Sequence, residues 1–139
     1  MIKMVRQGFS LLELMIYIAI VGILLAVAVP NFFSYIEKAR RSTTESNLRA
    51  IESAIIMYQL HTGQYPQRLS DLVKKPSDER IAQKWEGPYL KGKEVPLDGW
   101  SNRFEYKQTP QGEHKYELYS HGPNGKGSPE SERISIWKL

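Results

Sequence analysis

Glu13 is the residue of this 139-residue chain whose setting is chemically most unusual. Residues 9–29 are apolar except for Ser10, Glu13 and Tyr17, and residues 14–29 carry no charge at all. A carboxylate inside an apolar membrane helix is costly and is kept there for function. Nothing accompanies it that would make it catalytic. The chain has no cysteine, no G-x-S-x-G turn and no phosphate-binding loop. His61, His114 and His121 are scattered, without the H-E-x-x-H spacing of a metal-binding helix. The sequence therefore reads as non-enzymatic, and Glu13 as a group that needs an electrostatic partner.

The elements around these residues follow from periodicity. Residues 9–29 have the length of roughly 20 residues that a bilayer crossing requires, and residues 1–8 before them hold Lys3 and Arg6 but no acid. Past Pro30, Leu48, Ile51, Ala54, Ile55 and Tyr58 share one helical face, and Gly63 is a natural stop. One helix is thus expected from about Phe9 to about Thr62. Pro30 should kink or loosen it, because a backbone donor is lost there. Beyond Gly63 the expected elements are a short helix over 69–74 ended by Pro76, an irregular loop over 76–100, and strands over 103–107 and 115–119. A turn at 109–113 joins the two strands, and a polar loop over 122–132 leads to a last strand over 134–137. Phe104, Tyr106, Tyr116, Trp100 and Trp137 read as core aromatics. The fold class is α+β, a long N-terminal helix packed on a small antiparallel sheet. The net charge of +4 is mixed with acids and forms no basic stripe with interleaved aromatics, which excludes a nucleic-acid partner.

Two simpler readings of the N-terminus compete. Ala26-Val27-Ala28 satisfies the rule for an ordinary secretory cleavage site, which would release a chain starting at Val29. Alternatively residues 9–29 form a plain uncleaved anchor, with Glu13 snorkelling to the interface. Against the first stand Glu13 itself and the helical pattern beyond Pro30. Loop charge leaves orientation open, since Lys3 and Arg6 precede the span while Lys38, Arg40 and Arg41 follow it.

Gly8-Phe9-Ser10-Leu11-Leu12-Glu13, with Pro30 at its distance downstream, resembles the signal segment of type IV pilins and type II secretion pseudopilins. The resemblance implies a leader of residues 1–8 cut after Gly8 by a prepilin peptidase, and N-methylation of Phe9. It implies a membrane and assembly helix over 9–30 and a periplasmic pilin-like globular domain over 31–139. Glu13 becomes the fifth residue of the mature chain. It would pair with the Phe9 ammonium of a neighbouring copy, with Leu14, Ile18, Val21 and Leu25 as the packing stripe.

The similarity extends to the second half. Gln64-Tyr65-Pro66 resembles the turn after the long helix in the major pseudopilins, and Gly87-Pro88-Tyr89-Leu90 their GPYL segment. Tyr119-Ser120-His121-Gly122-Pro123-Asn124-Gly125 resembles YSxGxDG, and Ile134 with Trp137 the closing I-x-x-W. The family implies a homopolymeric fibre that drives folded proteins across the outer membrane. Its implied partners are minor pseudopilins, the peptidase and an inner-membrane assembly platform, and each subunit is a single-pass inner-membrane protein. The alternatives are a true type IV pilin for adhesion, motility or DNA uptake, and a solitary anchored binding domain. Two departures stand out. Asp-Pro-Trp-Gly is replaced by Asp98-Gly99-Trp100-Ser101. In the last loop, where the family implies bound calcium, the first aspartate is Asn124 and the later acidic pair falls at Ser131 and Glu132. Ser128, Glu130 and backbone carbonyls are further oxygen donors there, while Lys126 and Arg133 oppose a cation.

Overall fold

The computed structural model describes Lys3 and residues 6–139; the rest of the expected leader lies outside the described residues. The chain forms two compact units, Met1–Lys38 and Ala39–Leu139. One helix, α1 (Leu11–Thr62), supplies residues to both.

In the first unit α1 begins at Leu11, not at Phe9. Ser10 caps it: its hydroxyl accepts the Glu13 amide at 3.1 Å and its carbonyl accepts the Leu14 amide at 3.1 Å. Phe9, where the helix was expected to begin, therefore lies just outside it. The helix runs through Pro30. Proline removes the donor for the Ala26 carbonyl. Beside that gap, the Asn31 side-chain amide donates to the Val27 carbonyl at 3.1 Å.

In the second unit the apolar stripe is as expected. Leu48, Ile51, Ala54, Ile55 and Tyr58 are all buried, and Thr44 and Thr62 extend the stripe at its two ends. Each threonine hydroxyl donates to the carbonyl four residues earlier, at 2.8 Å, so neither is buried unsatisfied. Gly63 ends α1 with a left-handed φ of 77°, and its amide closes the last turn on the Gln59 carbonyl.

The connecting segments differ from expectation in detail. The helix expected over 69–74 is a single 3-10 turn, Leu69–Leu72. The stretch 76–100 is not wholly irregular, since it holds α2 (Glu79–Lys84). Asp78 caps α2 by accepting the Arg80 amide at 2.9 Å, and Glu79 and Lys84 sit at the ends that the helix dipole favours. Six residues give too few turns for a periodic signal.

Three antiparallel strands form a sheet in the order β1-β2-β3: β1 (Glu105–Gln108), β2 (Tyr116–Ser120) and β3 (Ile134–Ser135). Glu105 faces Tyr119 and Gln108 faces Tyr116 across the first pair, and Tyr119 faces Ser135 across the second. The first two strands start one or two residues later than expected, at Glu105 and Tyr116. The expected strand over 134–137 breaks after Ser135, whose hydroxyl accepts the Trp137 amide and turns the chain into a 3-10 turn. Along β2, Tyr116, Leu118 and Ser120 point inward while Glu117 and Tyr119 alternate outward. The core joins Leu48, Ile51, Ile55 and Tyr58 to Leu72, Phe104, Leu118 and Ile134. Trp137 departs from the expected core set. It stays at the edge, stacked on His114 at 4.0 Å, with its indole N–H donating to the Tyr116 carbonyl.

Burial pushes the Tyr58 and Tyr116 phenols up to about 12, and it raises Tyr106 as well. A folded-state pKa raised above the unfolded value of about 10 means that the native state holds its protons longer. This part of the stability is complete below about pH 10 and is lost as pH rises through about 12. Tyrosinate absorbance followed alongside circular dichroism should show a late tyrosine step coincident with loss of structure. Complete ionisation near pH 10 with the fold intact would contradict this.

Candidate functional site

Two places have chemistry to build on. The first is the start of α1. The Glu13 carboxylate accepts a hydrogen bond from the Tyr17 hydroxyl at 2.7 Å, one turn along the helix. The Phe9 ring meets the edge of the Tyr17 ring at 6.0 Å between centroids. Tyr17 thus touches both residues expected to act in assembly. Its i+4 spacing from Glu13 is the sequence signal for this contact. Ser10 likewise carries a signal, since serine three residues before a glutamate marks a helix start. Gly8 is exposed, and an added Cβ there would meet no atom within 4 Å, so the chain's own packing does not require glycine.

Leu14, Ile18, Val21 and Leu25 fall on one face of α1 and are all exposed. So are Ile16, Ile20, Ile23, Leu24 and Val27 on the other faces, and exposure therefore does not single out the expected stripe. A helix apolar all round needs lipid or other helices about it. Among the described residues this is the one helix long and apolar enough to cross a membrane.

The second place is the loop over 122–133, which is positioned through Asp98. That carboxylate is only 5 % exposed and accepts from the Ser120 hydroxyl at 2.6 Å and from the Trp100 and Asn102 amides at 2.9 Å each. The neighbouring Gly99 amide donates to the Thr44 hydroxyl on α1 at 2.8 Å. A Cβ on Gly99 would lie 2.1 Å from the Arg40 carbonyl oxygen, so only glycine admits this approach to the helix backbone. The Ser120 hydroxyl also accepts the Gly122 amide at 3.0 Å, which ties the loop's start to the same hub. The hub's members lie far apart in the chain, so no local sequence pattern marks it.

Within the loop, the Asn124 side-chain amide donates to the Glu132 carboxylate at 2.8 Å, and the Ser128 hydroxyl to the Gly125 carbonyl at 2.6 Å. Ser131 is exposed, in a 3-10 turn over Glu130–Glu132. Asn124 and Glu132 do meet, but through an N–H that a metal would not accept. Among the described residues no three His, Cys, Asp or Glu side chains converge. Calcium takes about 6–8 oxygens, several of them charged, and between residues 122 and 133 the carboxylates are Glu130 and Glu132. The histidines are tied to separate neighbours. His61 Nδ1 lies 2.9 Å from the Tyr89 hydroxyl, His114 stacks on Trp137, and His121 Nε2 lies 3.2 Å from the Glu105 carboxylate.

Comparison with known proteins follows this division of the chain. Residues 31–138 match the family profile for type II secretion system protein G, and residues 3–29 match the prokaryotic N-terminal methylation motif. The type II secretion system core protein G of Pseudomonas aeruginosa is 36 % identical over 138 residues, covering 95 % of each chain. The protein of the same name from Klebsiella pneumoniae is 38 % identical over 140 residues, covering 96 % of each chain. Among solved structures, the major pseudopilin from the type 2 secretion system of enterohaemorrhagic Escherichia coli is similar with a TM-score of 0.63 at 30 % identity. That match covers 79 % of this chain and 96 % of the other.

The turn that holds the hub can be tested directly. Ser101 has a left-handed φ of 63°, a conformation that costs a residue with a Cβ about 1 kcal/mol and glycine almost nothing. Ser101→Gly is expected to raise the stability seen in urea unfolding by about 1 kcal/mol. Gly99→Ala should lower it by at least about 1–3 kcal/mol. A neutral or reversed pair of results would argue against this turn geometry.

Proposed function

The chain belongs to the type II secretion system protein G family, and on that premise we propose that it is the repeating structural subunit of a secretion pseudopilus. The observation that carries this is a helix apolar around its whole circumference, broken near its start by one carboxylate, Glu13. Such a surface is satisfied first by lipid and then by identical helices from other copies. Heterologous contacts repeated along a screw axis generate an open filament. Cleavage after Gly8 would give Phe9 a free ammonium for N-methylation, and an exposed glycine that the fold does not require suits recognition by a peptidase. In the filament, Glu13 of one copy would face the Phe9 ammonium of the next.

Before assembly the Tyr17 hydroxyl gives the Glu13 carboxylate a hydrogen bond but no compensating charge. Leaving a buried charge without its partner costs about 3–5 kcal/mol, which favours one axial register between subunits. Leu14, Ile18, Val21 and Leu25 would form the main packing stripe, with Pro30 marking its far end. The subunit is anchored in the inner membrane by this single segment, with residues 31–139 in the periplasm. Its partners are other copies, minor pseudopilins, the prepilin peptidase and the assembly platform. Fibre growth, powered by a cytoplasmic ATPase, pushes folded exoproteins outward.

Mass spectrometry of the processed protein should find an N-terminal peptide beginning at methylated Phe9; a start at Met1 or Val29 would defeat the proposal. Glu13→Gln should leave the subunit inserted and its globular unit folded. Cross-linked multimers should nonetheless fall by about 100-fold or more, the equivalent of losing about 3 kcal/mol of pairing. Fibres at the normal level from that variant would count decisively against pairing through Glu13.

A further inference from the structure

We propose that the loop over 122–133 is closed by a cation that the protein itself carries, the Arg133 guanidinium, and that it folds without a bound metal ion. The guanidinium lies 4.7 Å from the centroid of the Tyr119 ring. Tyr119 is on β2 and pairs with Ser135 on β3, and Arg133 immediately precedes β3, so the ring and the cation meet at the loop's exit. The Arg133 Nε–H is buried without a hydrogen-bond partner. On that side the cation has lost water, and the negative face of the tyrosine ring supplies the compensation.

The rest of the loop is arranged for the same end. Between Gly122 and Arg133 stand two basic residues, Lys126 and Arg133, and two acidic ones, Glu130 and Glu132, which cancel. A loop that binds a divalent cation instead concentrates negative oxygens. Asn124 donates to Glu132 where an aspartate would repel it, so the amide removes the need for a bridging ion. The two ends of the loop also touch directly: a Cβ on Gly122, whose φ is 81°, would lie 2.8 Å from the Glu132 carbonyl oxygen. Inside the loop the Gly122 and Gly125 carbonyls already accept the Gly125 and Ser128 amides, each at 3.2 Å. A divalent ion placed against Glu132 would stand beside the fixed positive charge of the next residue, which Coulomb repulsion opposes.

The test uses the full-length protein in detergent, unfolded by heat in 5 mM calcium chloride and in 5 mM EGTA. The expected result is the same Tm in both. A site with a Kd of about 10⁻⁴ M would instead separate the two by roughly 10 °C. Arg133→Gln should lower Tm by about 3–8 °C in either buffer and speed amide hydrogen exchange over residues 122–133. A calcium-dependent rise in the wild-type Tm would overturn the proposal, and so would unchanged Tm and exchange in Arg133→Gln. Should that variant fail to fold, exchange over the wild-type loop with calcium and with EGTA decides. Equal protection supports a self-carried cation, and protection that appears only with calcium refutes it.

Discussion

The apolar stripe of α1 from Leu48 to Tyr58 must be covered, and the other elements of the globular unit are placed by that requirement. A two- or three-stranded sheet does not hold in water without something against its apolar face, and a helix face of this kind is equally incomplete alone. Each fully buried Leu or Ile contributes about 1.5–3 kcal/mol. Leu72, Phe104, Leu118 and Ile134 supply the cover. With no cysteine in the chain, no disulfide assists. Polar pins fix where the cover sits. The Tyr106 hydroxyl and the Gln108 amide both donate to the Pro66 carbonyl, at 2.6 and 2.9 Å, and these bonds tie β1 to the turn that follows α1.

A second requirement is that buried polar groups be satisfied. Asp98 would be a heavy liability in this core were it not given three donors. Meeting that need brings the turn over 98–102, the end of β2 and the start of the last loop to one point. Thr44 joins the set through Gly99. The hydroxyls of Thr44 and Ser120 each donate one bond and accept another, so each uses its donor and one of its two lone pairs. The glycine at position 99 and the serine at 101 have unlike causes. One is demanded by the approach to the helix backbone; the other occupies a conformation that glycine would hold more cheaply.

The first unit follows the opposite logic. From Phe9 to Tyr35 its large apolar side chains are exposed, and the fold of a single chain does nothing to cover them. Lipid and like helices are the cover that their chemistry selects. Within the lone chain, Tyr17 meets the hydrogen-bonding need of Glu13 and leaves its charge for a partner to answer. The same chain thus holds one helix stretch that is complete in itself and one that is completed only in company.

How much of this could be read in advance depends on the distance over which each feature is encoded. The uncharged span, Glu13, Pro30 and the stripe of α1 repeat over neighbouring turns, so composition and period were enough. Three strands in order were legible from alternation, though their ends were set by turns and shifted by one or two residues. The family, and with it the pseudopilus role, was legible because short motifs mark the processing segment and the ends of the globular part. Other features needed the fold. The Asp98 hub joins residues 55 positions apart in the chain between Thr44 and Gly99. α2 is too short for a period, and Ser10 moves the helix start from Phe9 to Leu11. Trp137 looked like core and proved to be an edge residue, because Ser135 turns the chain just before it. In the last loop the sequence named the oxygen donors, but only the folded arrangement set Asn124 against Glu132 and Arg133 over Tyr119. Sequence determines what each segment must bury or pair, since that is a property of side chains in order. Which distant group answers each need is decided by packing, because that choice exists only once the chain has closed on itself.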